Sequence, residues 1–282
     1  MANSVKTVGL LAALTALVVL AGQLLSGTRG AVIALVIAAV MNFGAYWFSD
    51  KLVLMRYRAR QVQPGTRPRL EGIIDRLVAR AGLPRPKLFV IPEAQPNAFA
   101  TGRNPRHAAV AVTQGLLELM DDEELEGVVA HELAHVKHRD ILIGSIAATM
   151  AGAVMVLASM ARWGALLGGY ERDRRDGGLL GLLAVAIVAP LAATMVQLAV
   201  SRSREFAADE GAARMAGHPH GLARALRKLG QLSGRIPMEA SPASAHMFIV
   251  SPLSAREAFT RFFSTHPPLE ERIRRLLGRM SR

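Results

Sequence analysis

His131-Glu132-Leu133-Ala134-His135 is the stretch on which the rest of the chain turns. On a helix, residues i and i+4 share one face, so both imidazoles can reach a single ion, with the Glu132 carboxylate beside them. Zinc lowers the pKa of a bound water toward about 7, and a carboxylate next to such a water can act as general base in amide hydrolysis. The alternative is two solvated histidines on a surface helix. Against it stand Val128, Val129, Leu133 and Val136, which make the surroundings apolar, where a polar ring needs a partner. Upstream, Asp121 followed by Glu124 has the form of a capping box and marks where this helix starts.

A catalytic zinc needs a third protein ligand and an open position. The chain contains no cysteine, so disulfides, thiol nucleophiles and thiolate ligands are excluded and the ligand must be His or carboxylate. Ser201-Arg-Ser-Arg-Glu205-Phe-Ala-Ala-Asp209 opens a second predicted helix with Glu205 and Asp209 again four apart. Glu205 is placed to ligate. Asp209 is placed to accept the second ring N–H of a ligand histidine and hold its tautomer. Taken alone, both acids would read as partners of Arg202, Arg204 or Arg214 on a solvated helix. The histidine pair favours the ligand assignment, giving one Zn²⁺ per chain held by His131, His135 and Glu205.

The 282 residues are 51% hydrophobic but only 5% aromatic, with mean hydropathy +0.26. Residues 7–28, 30–49, 141–161 and 177–200 lack any charged side chain. At roughly 1.5 Å per helical residue, each is long enough for a hydrocarbon core of about 30 Å. Only Arg29 separates the first two, so they form a tight hairpin. A cleaved signal peptide is disfavoured, because the first apolar run is too long and a second follows at once. Lys51, Arg56, Arg58 and Arg60 after the second run outweigh Arg29, which puts residues 51 onward in the cytoplasm. The loop of the later pair mixes Arg162, Arg172, Arg174 and Arg175 with Glu171, Asp173 and Asp176, and Pro190 interrupts the last run. That pair either spans, which its length favours, or inserts without crossing.

The net charge of +12 does not indicate nucleic acid, since no aromatic residues interleave the basic ones to stack bases. Juxtamembrane attraction to anionic lipid accounts for it. The organisation expected is an N-terminal transmembrane hairpin (1–50), a first catalytic half carrying the histidine pair (51–140), a second apolar hairpin (141–200), and a second catalytic half (201–282). Both halves flank residues 141–200 and meet only if that hairpin crosses an even number of times or not at all. His135 and Glu205 stand six and five residues from its ends, which puts the metal about 10 Å from the membrane boundary. Elsewhere the pattern predicts a helix over 69–82, strands over 87–91 and 108–113, an extended or turn-bounded stretch at 97–102 between them, and helices after residue 200.

These features together resemble the HtpX-type integral-membrane zinc metalloproteases, relatives of the CAAX prenyl endopeptidases. The resemblance runs from Arg58 to the C-terminus and includes the preceding hairpin. Its carriers are Asn97-Ala-Phe-Ala-Thr-Gly102, His131 to Asp140, Ser201 to Asp209 and Ser264-Thr-His-Pro-Pro-Leu-Glu-Glu-Arg272. It implies a mainly α membrane protein with a gluzincin-type domain and a small β-sheet, with Glu132 as catalytic base and His131, His135 and Glu205 as ligands. It also implies proteolysis of damaged or misfolded membrane proteins at the cytoplasmic face of a bacterial inner membrane, as quality control under stress. Asn97, Ala98, Phe99 and Ala100 would then line the substrate cleft as an edge for an extended peptide. His266 would stabilise the oxyanion, or would cap a helix before Pro267; the spacing does not choose between them. The CAAX endopeptidases have more membrane helices than this chain provides, which argues against prenyl-protein processing. A structural metal site would have no use for Glu132, which argues against a scaffold without activity.

Overall fold

The computed structural model describes residues 2–149, 202–233, 235–236, 244–250 and 267–278. The N-terminal apolar half is one helical element, α1 (Ala2–Arg56). It is not straight. Asn42 donates from Nδ2 to Thr15 Oγ1 across 2.7 Å, whereas 27 residues of unbroken helix would separate them by about 40 Å. The reversal falls at Gly27, whose φ of +61° a glycine adopts without steric cost. Beyond it, Gly27–Arg56 is the one helix among the described residues long and apolar enough to cross a membrane; Leu11–Leu20 is apolar but shorter. The sequence places a second apolar hairpin at 141–200. Of it only 141–149 are described, and they are helical. There Ile143, Ile146 and Ala147 pack with Ala45, flanked by Leu11, Val18 and Met41 from both limbs of α1.

Among the described residues, four strands, β1 (Arg60–Gln61), β2 (Lys87–Ile91), β3 (Ala98–Gly102) and β4 (Ala108–Thr113), form one sheet in the order β1-β2-β4-β3. β2 runs parallel to β4, and β3 pairs antiparallel with β4 as the edge strand. Side chains alternate between faces along a strand, and here both faces are covered. Ala98, Ala100, Ala108, Val110 and Val112 face the main core; Phe99, Ala109 and Ala111 face Val53, Leu54 and Tyr57 at the end of α1, together with Phe248. Tyr57, Phe99 and Phe248 meet as a cluster with centroids 5.0–5.9 Å apart.

Among the described residues, five helices lie on the main-core side: α2 (Pro68–Ala81), α4 (Asp122–His138), α5 (Arg202–Ala216), α6 (His220–Ser233) and α7 (Leu269–Gly278). A short α3 (Gln114–Leu119) joins β4 to α4. α4 is at the centre, buried almost all round from Val128 to Ala134. That explains why its sequence lacks a one-sided stripe: a helix covered on every side needs none. Its start is the capping box expected at Asp121 and Glu124, with both hydrogen bonds formed. α6 crosses α4 so closely at Gly127 that a Cβ there would overlap the backbone of Leu222.

Gly127→Ala should therefore destabilise by about 1–3 kcal/mol, the usual cost of overpacking. Gly72→Ala, mid-helix in α2 with only the end of Arg76 near it, should stabilise by roughly 0.5–1 kcal/mol. Thermal unfolding of the detergent-solubilised variants should shift Tm in opposite directions; equal shifts would contradict the close crossing.

Candidate metal centre and active site

α4 and α5 bring the histidine pair and Glu205 together. The Nε2 atoms of His131 and His135 stand 3.2 Å apart. Glu205 offers Oε2 at 3.7 Å from the first and Oε1 at 3.6 Å from the second. All three donor atoms lie within 4.8 Å of one another. Each ring is tied at its other nitrogen, Nδ1 of His131 to Asp209 Oδ1 at 3.0 Å and Nδ1 of His135 to Asp140 Oδ2 at 3.1 Å. With N–H at Nδ1 donated outward, both Nε2 lone pairs point inward at each other and at a carboxylate. Such a convergence of acceptors is repulsive without a positive charge in its midst. A tetrahedral zinc with Zn–N near 2.0–2.1 Å needs ligand nitrogens about 3.3 Å apart, so the donor set fits that ion.

The surrounding electrostatics follow from burial and four acids. Burial, with help from the Arg272 charge, pushes His131 down to about 4, so it is a neutral donor at pH 7. Burial also disfavours the charged form of His135, but the Asp140 hydrogen bond and the Glu205 and Glu132 charges outweigh it and raise His135 to about 9. The cluster thus draws positive charge, a proton on His135 serving where no metal is bound. Glu132, fully buried and next to Glu205, is raised to about 7, against the pull of His135 and of a hydrogen bond from the Ala100 backbone N–H. The cavity in front of these groups holds about 60 Å³ and is bordered by Ala100, Ile141, Gly144 and the segment His246–Ile249.

Two residues not assigned in the sequence complete the site. Asp140 reaches His135 because α4 ends at Arg139 in the left-handed conformation (φ +60°), which turns the next residue back until its N–H meets the His135 carbonyl. Arg272 on α7 is wholly buried and grips Asp209 with two bonds, Nε to Oδ2 at 2.9 Å and Nη2 to Oδ1 at 2.7 Å. It also donates to the Ile249 carbonyl at 3.0 Å and lies 3.8 Å from Glu205. Its 3.4–3.5 Å approach to the His131 ring is packing, since Nδ1 already donates to Asp209. A signal for it was present: Arg272 falls inside the apolar stripe Leu269, Ile273, Leu276 of an otherwise charged helix.

The expected cleft residues separate. Ala100 borders the cavity and contacts Glu132 through its N–H. Phe99 points to the opposite core, and Asn97 is buried, donating to the Val250 carbonyl at 2.8 Å. The Ala98 carbonyl, facing the free edge, accepts from the Ile249 N–H at 3.1 Å. His266 lies outside the described residues.

Residues 64–280 match the sequence pattern of peptidase family M48. The chain belongs to peptidase family M48. It is 60% identical over 280 residues to a protease HtpX homolog of Desulfatibacillum aliphaticivorans, covering 99% of this chain and 90% of that one. A protease HtpX homolog of Thermococcus kodakarensis is 53% identical over 273 residues, covering 96% and 94%. The crystal structure of S. mikatae Ste24p superposes with a TM-score of 0.51 at 18% identity, over 85% of this chain and 56% of that longer one, a likeness of fold. Membership in M48, with three convergent donors, makes this chain a metalloprotease.

Asp209 is a carboxylate that burial would raise but that Arg272, and secondarily His131, hold down at about 2. Its folded pKa is below the ordinary 3.8, so the stability it contributes is present above about pH 4 and is lost as pH falls toward 2. Arg272→Ala would leave that charge buried without its partner, and should cost about 3–5 kcal/mol. A Tm unchanged within a degree or two would refute this.

Proposed function

We propose that the protein is a zinc endopeptidase of a bacterial inner membrane, cutting damaged or misfolded membrane proteins at the cytoplasmic face. The observation that carries the proposal is the convergence of His131, His135 and Glu205 with Glu132 beside them. His131, His135 and Glu205 would hold one zinc, with Asp209 and Asp140 fixing the two imidazoles by their Nδ1 protons. When bound, the zinc supplies Lewis acidity, lowering the pKa of a water at its open position and polarising the scissile carbonyl. Glu132, buried and with a pKa near neutrality, takes the proton of the attacking water and passes it to the leaving amine. The Ala100 N–H holds that carboxylate in place. A substrate in extended form would lie along the β3 edge beside Ala100, where β-addition can align it.

The membrane assignment is supported by the apolar Gly27–Arg56 segment and by the position of the site. Asp140, which binds His135, directly precedes the apolar stretch that begins at Ile141, and that stretch packs against both limbs of α1. The basic residues 51–60 support a cytoplasmic orientation, and a hairpin at 141–200 that crosses twice or not at all would keep both halves of the site on that side. A site at that height suits segments emerging from the bilayer. His266 would stabilise the oxyanion or serve as a helix cap before Pro267.

Purified wild-type protein should contain about one zinc per chain. Glu132→Gln should retain it and lose at least about a hundredfold in casein cleavage, as removal of a general base does; undiminished cleavage would sink the mechanism. Activity needs ionised Glu132, so it should fall as pH drops through an apparent pKa at or below about 7, because the metal's charge lowers the value set by burial. A pH–rate profile with no acidic limb between about 5 and 7 would contradict that role.

A further inference from the structure

A groove of about 1160 Å³ runs between α1 and the sheet. One wall is apolar and aromatic. Phe43, Trp47 and Phe48 line it, each more than 40% exposed, near the C-terminal end of the segment apolar enough to span a bilayer. The facing wall is cationic, with Lys87 on β2 and Arg103 and Arg106 in the turn between β3 and β4; Lys51 of α1 closes the rim. The two walls touch where the Arg103 guanidinium lies 4.5 Å over the Trp47 ring.

Among the described residues, Asp50 is the one carboxylate that lines this groove. Arg58 and Arg85 also reach the groove but are paired, with Glu93 at 3.1 Å and with Asp75 at 2.6 Å. Among the described residues, Lys51, Lys87, Arg103 and Arg106 have no carboxylate within ion-pair distance. Four such cations facing exposed aromatic rings at the end of an apolar helix match one chemistry: a negative headgroup joined to hydrocarbon. Tryptophan at a helix end sits at headgroup level in a bilayer, and basic pockets beside such helices attract anionic headgroups. Nucleic acid or an acidic peptide would match the cations but would leave a wall continuous with the apolar helix uncovered.

We propose that this groove binds one anionic phospholipid, its phosphate against Lys51, Arg103 and Arg106 and its acyl chains along Phe43 and Trp47. The proposal rests on α1 being inserted in the bilayer. The headgroup then ties the β3–β4 turn to the membrane surface. Since Ala100 lies only three residues before Arg103 on the same hairpin, the lipid sets the height of the edge that faces the catalytic cavity.

The chain has two tryptophans, Trp47 and Trp163, so a Trp163→Phe background makes fluorescence report Trp47 alone. The full-length protein in phosphatidylcholine nanodiscs would be titrated with brominated phosphatidylglycerol or brominated phosphatidylcholine. Brominated phosphatidylglycerol should quench Trp47 at a several-fold lower mole fraction. Arg103→Ala/Arg106→Ala should abolish that several-fold preference, as loss of two surface cations predicts. Arg103→Lys/Arg106→Lys, and the remote pair Arg227→Ala/Arg274→Ala, should keep it. Equal quenching by the two lipids in the wild-type groove, or equal loss in the remote pair, overturns the site while leaving α1 in the bilayer. No quenching by either lipid overturns the insertion of α1, and the groove site with it.

Discussion

Three acceptors aimed at one point, from two helices far apart in the chain, are the constraint around which this molecule is arranged. The lone pairs of His131 and His135 and the carboxylate of Glu205 repel one another unless a cation sits among them. Holding them there requires that neither ring can turn and that neither helix can slide. Asp209 and Asp140 lock the rings. The close approach of α5 to α4, where Gly211 lies against Ala134, and the two-ended capping of α4 hold the helices.

Locking a ring with a buried carboxylate creates a second problem, because an unpaired buried charge is costly. For Asp209 the answer is Arg272, brought from the far end of the chain and itself wholly enclosed. One guanidinium thus links the helix carrying Glu205, the histidine that Asp209 orients, and the Ile249 carbonyl beside the cavity. A buried pair of this kind adds little stability over apolar packing, but breaking it by removing one partner is expensive. Its value lies in registering α7 against α5, and hence the segment at the mouth of the cavity against the metal ligands.

The sheet and the apolar helices set where the chemistry happens. β3 is an edge strand, and its outward groups are used differently along its length: Ala98 by Ile249 of the same chain, Ala100 by Glu132. Its other face rests on Tyr57, just after α1, and on Phe248 of the segment beside the cavity, so the cleft, the sheet and the end of α1 form one packed unit.

The sequence by itself determined what is local. The i, i+4 spacing of His131 with His135 and of Glu205 with Asp209, the capping box at Asp121, and strands β2 and β4 are all written in short-range periodicity and were legible because a helix or strand imposes its own repeat. Residues 97–102, whose pattern reads as extended or turn-bounded, carry the edge strand Ala98–Gly102. The Thr15–Asn42 contact folds the N-terminal apolar half back on itself, and residues 150–201 lie outside the described residues. Only the tertiary structure decided that α5 lies against α4 with Asp209 on His131, that the left-handed Arg139 swings Asp140 onto His135, and that Arg272 is an interior cation and not one more arginine in a basic tail. It likewise showed that Asn97 and Phe99 serve the core while Ala100 alone of that stretch borders the cavity. The physical reason is common to all of these. Spacing along the chain says which residues share a face, but which faces meet is set by packing and by the cost of burying charge, and these are summed over contacts that one-dimensional order does not contain.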